Sequence, residues 1–296
     1  MSDYIVRATA AGLGIRAFAI DATEMAEYAR NVHQTTPVMT AALGRLLAAG
    51  AMMGSMMKGD RDLMSIQYRC DGPAQGMTVT AGSRGNVKGY AVNPQVIIPL
   101  KSEENHKLDV GGAIGRGTIS VSRDIGLREP YSGQCEIWTG EIGDDLAYFF
   151  TTSDQVPSAV GLGVMVDTDC SVRHAGGFII QRMPDASEEA ISGLEKRLGE
   201  IEPVTTMMDR GMGPEQILEE ILGGLDLEII DKMPAFFRCD CSRERISRAL
   251  ATISTQDLRE IINDGEEIEV KCHFCNSAYV FGIDELEEIM SGREDR

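Results

Sequence analysis

The sequence TPVMTAALGRLLAAGAMMGSMM, residues 36–57, is almost wholly apolar and contains one charged residue, Arg45. Thr36 followed by Pro37 is typical of the start of a helix. The stretch is also long enough to span a bilayer. A charge near the bilayer centre is costly, however, and the many Ala and Gly residues supply little hydrophobic gain to offset it. We therefore predict a helix buried in the core of a folded, water-soluble protein.

Strand-like patterns follow this helix. Between residues 64 and 70, apolar residues alternate with polar ones at a period of two, which predicts a half-buried strand with Cys70 facing inward. Similar patterns place further predicted strands at residues 77–81, 87–92, 118–122, 135–138, 146–151 and 178–181. With helices before and between these strands, the sequence predicts an α+β fold, in which residues 1–183 form an N-terminal mixed α/β core domain.

The charge of the chain changes near residue 184. The net charge is −18 over 296 residues, but residues 1–183 carry only −3 of it and residues 184–296 carry −15. Beyond this point the apolar residues return to a helical period. We predict a helical linker at residues 184–235 and a small C-terminal zinc-binding domain at residues 236–296.

Two close cysteine pairs indicate this zinc site, Cys239-Asp240-Cys241 and Cys272-His273-Phe274-Cys275. Their spacing lets two chain segments deliver four thiolates to one tetrahedral ion, as is typical of a closed structural zinc site. We predict that Cys239, Cys241, Cys272 and Cys275 bind one Zn²⁺, which staples a segment too short to fold on its core alone. Four protein ligands leave no open position for catalysis at the metal.

The same thiolates allow two interpretations. One is an inert structural zinc, which the spacing alone favours because most four-cysteine sites are structural. The other is a redox switch, because the thiolate is the species that peroxide attacks and each close pair contains a second cysteine that can complete a disulfide. Cys70, Cys135 and Cys170 lack close partners in the sequence, and we expect them to be buried apolar residues.

Several stretches of the chain resemble the thirty-three-kilodalton heat-shock chaperonin family, the redox-regulated holdases of bacteria. These stretches are ALGRLLAAGAMMGSMMKGD, GYAVNPQV, GDDLAYFF through QVPSAVGLGV, AGGFIIQRMP, CDCSRER and CHFCNSAY. The resemblance implies that the four clustered cysteines bind zinc when reduced, and that they form Cys239–Cys241 and Cys272–Cys275 disulfides when oxidised. It also implies zinc release, unfolding of the C-terminal region and dimerisation on oxidation. The oxidised chain would then bind unfolding client proteins without ATP and prevent their aggregation under oxidative and heat stress.

Other functions are disfavoured by the residues themselves. The acidic charge repels nucleic acid and anionic membranes, and no secretory signal is visible, so we expect a cytoplasmic protein with neither partner. Residues 112–118, GAIGRGT, lack the Lys of a nucleotide-binding loop, and no catalytic set stands out, so we expect neither nucleotide binding nor enzymatic activity. Two alternatives stay open: a structural zinc-ribbon binding module, and a thiol-disulfide oxidoreductase that uses Cys272 and Cys275.

Overall fold

The computed structural model describes residues 2–104 and 106–291. The chain forms two compact units, Met1–Arg238 and Cys239–Arg296. The first half of the first unit contains β1 (Tyr4–Ala10), β2 (Ile15–Asp21), α1 (Thr23–His33), α2 (Pro37–Ser55), β3 (Leu63–Cys70), β4 (Gly76–Gly82), β5 (Asn86–Ala91), α3 (Val110–Ile114) and β6 (Gly117–Asp124). Its second half contains β7 (Tyr131–Glu136), α4 (Ile142–Thr152), β8 (Ser158–Val166), β9 (Val172–Arg182), α5 (Glu188–Glu200), α6 (Val204–Asp209), α7 (Pro214–Leu222), β10 (Glu228–Pro234) and β11 (Phe236–Phe237).

Two sheets and the helix α2 form the core of the first unit. One sheet has the strand order β10-β1-β2-β9-β8, and the other has the order β11-β5-β4-β3-β6-β7. Every residue of α2 except Pro37 and Arg45 is buried, and its side chains share one apolar cluster with residues of both sheets. Although α2 is long and apolar enough to cross a membrane, 94% of its apolar window is buried inside the protein. The prediction of a buried core helix is confirmed.

The helices α5, α6 and α7 cover the other face of the five-stranded sheet. Leu194, Met207 and Leu218, one from each helix, are buried in a second apolar cluster with sheet residues that include Val6 and Phe178. The residues of each sheet strand that face this cluster alternate with those that face α2, as the pleat of a strand requires. This sheet is therefore buried on both faces, by α2 on one side and by the segment that follows β9 on the other.

The segment 184–235, predicted as a helical linker, also contains a strand. β10 pairs with β1 in an antiparallel ladder from Tyr4–Pro234 to Thr9–Glu228, and β11 pairs in parallel with β5. The sequence of β10, EIIDKMP, does not alternate clearly because this strand lies at the sheet edge and most of its side chains are exposed. The division of the chain into a core, a linker and a zinc-binding domain as functional parts stays a prediction.

The strand predicted at residues 146–151 is wrong, because these residues lie in α4. Their apolar run, LAYFF, is too short to distinguish a buried strand from a helix by periodicity. In the structure the buried residues of α4 are Ile142, Asp145, Leu146, Phe149 and Phe150, which is the spacing of one helix face. Because the run does not alternate between apolar and polar residues, a half-buried strand could have been excluded from the sequence.

The second unit is small. It contains α8 (Arg243–Leu250), α9 (Thr255–Asn263), β12 (Ile268–Lys271), β13 (Ala278–Phe281) and α10 (Ile283–Ser291). β12 and β13 form an antiparallel hairpin. Only four apolar side chains are buried in its described core, Leu250, Leu258, Phe281 and Leu286. So small a core leaves the unit dependent on an additional constraint.

Candidate metal and redox site

The four clustered cysteines come together at one end of the β12–β13 hairpin. Cys239 and Cys241 lie just before α8, whose N-cap Ser242 accepts a hydrogen bond from Arg245 N. Cys272 and Cys275 lie in the turn between β12 and β13. The four Sγ atoms all lie within 4.8 Å of one another. The structure therefore joins the two cysteine pairs that the sequence separates by 30 residues.

The turn that carries Cys272 and Cys275 is shaped by its backbone hydrogen bonds. The Cys272 carbonyl oxygen accepts from Asn276 N at 2.8 Å and from Cys275 N at 3.3 Å, and Cys272 N donates to Ser277 O at 3.0 Å. Asn276 adopts a left-handed conformation with φ of 54°, which Asn tolerates better than most residues. These bonds define the turn from which both cysteines bring their sulfurs into the cluster.

The sulfur positions fit a tetrahedral Zn²⁺ site. With Zn–S bonds of about 2.3 Å, the sulfurs of a regular tetrahedron lie about 3.8 Å apart. Cys239 Sγ lies 3.7 Å from Cys272 Sγ, and Cys241 Sγ lies 3.3 Å from Cys275 Sγ. The donor set is also soft and carries no carboxylate, which is typical of zinc and not of magnesium or calcium. These residues could hold one such ion.

The pKa values of the thiols also favour the binding of a cation at this site. Burial raises the pKa of Cys239 and of Cys272. Burial acts in the same direction on Cys275, but hydrogen bonds with the Ser277 side chain and backbone and with the neighbouring thiols outweigh it and lower its pKa to about 7. Four adjacent thiols cannot all ionise without a compensating positive charge, and a divalent ion supplies that charge.

Two hydroxyl groups beside the sulfurs were not predicted from the sequence. The Tyr279 hydroxyl lies 3.1 Å from Cys241 Sγ, and Ser277 Oγ lies 3.3 Å from Cys275 Sγ. Both residues follow the CxxC motif closely in the sequence. Their proximity to the sulfurs, however, could be predicted only if the motif was known to lie in the turn of a hairpin. A hydroxyl that donates to a thiolate stabilises its negative charge.

The other three cysteines do not belong to the described ligand group. Cys70 and Cys135 are half-buried against the core of the first unit. Burial raises the pKa of Cys70, and burial with the nearby carboxylates raises the pKa of Cys135 to about 11. Cys170 lies in the turn between β8 and β9 with φ of 68°. Because thiols with raised pKa values react slowly with peroxide, we expect Cys70 and Cys135 to be slow to oxidise.

Comparisons with known proteins agree with the geometry. The family model described as "Hsp33 protein" matches residues 3–282. The chain belongs to the Hsp33 family. It is 63% identical over 289 residues to a "33 kDa chaperonin" of Agathobacter rectalis, a match that covers 98% of this chain and 100% of the relative. It is 54% identical to a "33 kDa chaperonin" of Lachnoclostridium phytofermentans, over 98% of this chain and 99% of the relative.

A solved structure has the same fold. The crystal structure of a 33 kDa chaperonin, a heat shock protein 33 homologue from Thermotoga maritima, superposes with a TM-score of 0.90 at 32% identity and covers 100% of both chains. The predicted resemblance to the Hsp33 family and the predicted α+β fold are confirmed. The chain is a chaperone of this family, and its cysteine cluster lies in a unit that the family fold contains.

Proposed function

We propose that this chaperone is an ATP-independent holdase that binds unfolding proteins and is controlled by the redox state of its cysteine cluster. One observation carries the proposal. In a chain of the Hsp33 family, four thiols converge to bonding distance of a single ion, in a unit whose apolar cluster has only four buried side chains among the described residues. A unit held together in this way is folded or unfolded by whatever changes those thiols.

In the reduced state, Cys239, Cys241, Cys272 and Cys275 would hold one Zn²⁺. The ion would keep the four sulfurs deprotonated and would connect the segment before α8 to the β12–β13 turn. Metal binding to small domains of this kind supplies on the order of 10 kcal/mol of folding free energy. We propose that this form is folded and inactive as a holdase.

In the oxidised state, peroxide converts each close cysteine pair into a disulfide. One thiolate attacks hydrogen peroxide, forms a sulfenic acid and releases hydroxide. The second thiolate of the pair attacks that sulfur and releases a second hydroxide. Each disulfide thus transfers two electrons to one peroxide molecule. Two such reactions remove all four thiolates as ligands, and the ion would then leave.

We propose the pairing Cys239–Cys241 and Cys272–Cys275. The shortest sulfur distances run across the two segments, from Cys239 to Cys272 and from Cys241 to Cys275. All four sulfurs lie within 4.8 Å of one another, so each thiol is adjacent to its possible partners in either pairing. The within-segment pairing supports the unfolding of the unit better, because it leaves the two segments unconnected, whereas cross-segment bonds would replace the staple.

Release of the segment that follows β9 would expose apolar surface for clients. The helices α5–α7 cover a sheet face that includes Val6, Ile15 and Phe178. The segment ends at β11, whose Phe237 ring contacts the Tyr28 ring at a centroid distance of 4.9 Å, two residues before the cysteine unit begins. Unfolding of the cysteine unit would free the chain end next to β11, and we propose that β11 and β10 then detach from β5 and β1. The partners we propose are non-native protein chains, and a second copy of this chain in an oxidised homodimer.

The proposed setting is the cytoplasm under oxidative and heat stress, without nucleotide, nucleic acid or membrane partners and without enzymatic turnover. The decisive experiment is light scattering from a heat-unfolded client protein, with the chain either reduced and zinc-loaded or treated with peroxide. We expect suppression of aggregation only after oxidation, with release of one zinc ion per chain and two disulfides in the peptide map. Cys275→Ser should lose zinc binding, whereas the matched control Cys135→Ser, outside the cluster, should respond as the wild type does.

Other outcomes would favour another function. If peroxide leaves zinc bound and neither form suppresses aggregation, the site is a structural zinc. Catalytic reduction of a disulfide substrate would support an oxidoreductase, although Cys272 and Cys275 lie in a hairpin turn and not at a helix N-terminus, where catalytic CxxC motifs gain their low pKa.

A further inference from the structure

A hydroxyl group on the second strand of the hairpin reaches the cysteine cluster. Tyr279 lies in β13, opposite Val270 of β12. Tyr279 and Phe281 are the more buried residues of this strand, because the pleat turns alternate side chains to the same face. The Tyr279 ring packs against the core of the second unit, and its hydroxyl lies 3.1 Å from Cys241 Sγ. The hairpin register therefore fixes which sulfur this hydroxyl meets.

The hydrogen bond of Cys241 comes from across the cluster. Three of the sulfurs accept a hydrogen bond from the backbone N–H two residues further along the chain, namely those of Cys239, Cys272 and Cys275. For Cys241 Sγ the partner is the Tyr279 side chain, which belongs to the hairpin that carries the other cysteine pair. A hydroxyl can be removed by substitution without a change in the backbone. The contribution of this hydrogen bond can therefore be measured by itself.

This hydrogen bond would affect how fast Cys241 reacts and not how much of it is ionised. A zinc-bound thiolate carries no proton, so the Tyr279 hydroxyl is the donor when the metal is bound. At a free thiol, such a bond would also raise the fraction of thiolate, which is the reactive form. At a metal-bound thiolate that fraction is already complete. What remains is the stabilisation of the sulfur lone pair, which lowers its nucleophilicity.

We propose that Tyr279 is a positioning residue of the redox site, whose hydroxyl holds Cys241 Sγ and slows the oxidation of this cysteine by peroxide. The proposal deepens the proposed redox control and rests on it. It gives Tyr279 a part in setting the peroxide concentration at which the cluster is oxidised.

The step that Tyr279 slows is the first one at the Cys241 sulfur. The thiolate attacks one oxygen of hydrogen peroxide, the O–O bond breaks, and a sulfenic acid and hydroxide are formed. A second thiolate then displaces hydroxide from this sulfur and forms the disulfide, so two thiolates pass two electrons to one peroxide molecule. The Tyr279 hydroxyl binds the charged thiolate more strongly than the neutral sulfenic acid that replaces it. The loss of this interaction raises the barrier to the first step.

Tyr279→Phe in the reduced, zinc-loaded full-length chain tests the proposal, because it keeps the ring and removes only the hydroxyl. After peroxide is added, differential alkylation and mass spectrometry give the initial rate at which each free thiol is lost. Cys241 is compared with Cys272, because these two are partners in neither the within-segment nor the cross-segment pairing. We expect the rate at Cys241 to rise about three- to tenfold, and the rate at Cys272 to change by less than about twofold.

Two further variants separate the hydrogen bond from a general weakening of the hairpin. Ser277→Ala removes the hydroxyl that lies 3.3 Å from Cys275 Sγ, so we expect it to raise the initial rate at Cys275 and not at Cys239. Tyr148→Phe is the matched control, because it removes a tyrosine hydroxyl from the first unit. It should leave all four rates unchanged.

Cobalt substitution supplies a readout that does not depend on oxidation. The loss of a hydrogen bond raises the energy of the sulfur lone pair, so the sulfur-to-cobalt charge-transfer band of the reduced chain should move to longer wavelength in Tyr279→Phe. It should stay in place in Tyr148→Phe. An unchanged band in Tyr279→Phe overturns the proposal, and so do wild-type rates or equal acceleration at Cys241 and Cys272.

The light-scattering assay separates this proposal from the proposed function. If oxidation of the wild type produces holdase activity but Tyr279→Phe reacts as the wild type does, only the role of Tyr279 is wrong. If oxidation produces no holdase activity, the proposed function fails, and the thiol rates and the cobalt band still decide whether Tyr279 protects Cys241.

Discussion

Weakening the contact between α7 and the sheet should activate the chaperone without oxidation. Leu218 is fully buried in the cluster that joins α7 to β1, β2 and β9, and its neighbours on the same face, Ile217 and Ile221, are also buried. Leu218→Ala removes these contacts and leaves a cavity, which costs about 3 kcal/mol at buried positions of this kind. Because about 1.4 kcal/mol corresponds to a factor of ten, the population with α7 undocked should rise about 100-fold.

The assay is client light scattering with the reduced, zinc-loaded variant, accompanied by hydrogen exchange of the α7 amides. We expect Leu218→Ala to exchange these amides faster, to retain its zinc and to suppress part of the aggregation before any peroxide is added. Glu220→Ala is the matched control, because Glu220 is exposed on the same helix and its loss should leave both readouts unchanged.

The reasoning fails if α7 exchanges faster in Leu218→Ala, zinc stays bound and the reduced protein still holds no client. That result would mean that the surface under α5–α7 takes no part in client binding. Complete unfolding of the variant would differ from local undocking of α7, because it would also remove the protection of the α2 amides. α2 lies on the opposite face of the sheet and belongs to the first apolar cluster, whereas Leu218 belongs to the second.

Three further predictions concern other parts of the chain. A zinc chelator added to the reduced protein should make the backbone amides of residues 239–291 exchange rapidly, while α2 stays protected, because under the proposed function the small core of that unit is stabilised by the metal. Burial raises the pKa of Asp3 from 3.8 to about 7, so the folded state binds this proton more tightly than the unfolded state, and the free energy of unfolding should increase as pH falls from about 7 towards 4, by at most about 1.4 kcal/mol per pH unit. Asp3→Asn should reduce this slope in chemical unfolding measured at several pH values, and an unchanged slope would show that the carboxyl is not the cause. Ser254 caps α9 by accepting a hydrogen bond from Asp257 N at 3.1 Å, so Ser254→Ala should destabilise the reduced, zinc-loaded unit by about 1 kcal/mol in thermal unfolding, and no change would contradict the cap.

Several features of the fold were predictable because they depend on local sequence. The helix α2 follows from a long apolar run with a proline at its start, and β3, β4 and β5 follow from alternation at a period of two. Ser242 and Ser254, which cap α8 and α9, are also signals that lie within the local sequence. The strands β3, β4 and β5 bury mainly one side, so their alternation is visible in the chain, whereas α2 is buried on nearly all sides and is visible as a long apolar run.

Short apolar runs, and elements exposed on most of their length, could not be identified in the same way. The run LAYFF fits either a strand or a helix until the burial of Ile142 and Asp145 on the same face settles the period. β10 has exposed side chains and is defined only by its ladder with β1. These elements exist because of partners that are distant in the sequence.

The sequence alone determined the residues that could bind a metal. Two close cysteine pairs lie in one short acidic segment, the other cysteines are isolated in the sequence, and this pattern is typical of a metal site. It also determined the class of fold. Only the tertiary structure decided that the four sulfurs meet within 4.8 Å, that Tyr279 and Ser277 stand beside them, and that α5–α7 cover one face of the five-stranded sheet. Such features depend on which distant segments pack together, and packing free energy is set by the whole chain and not by any local pattern.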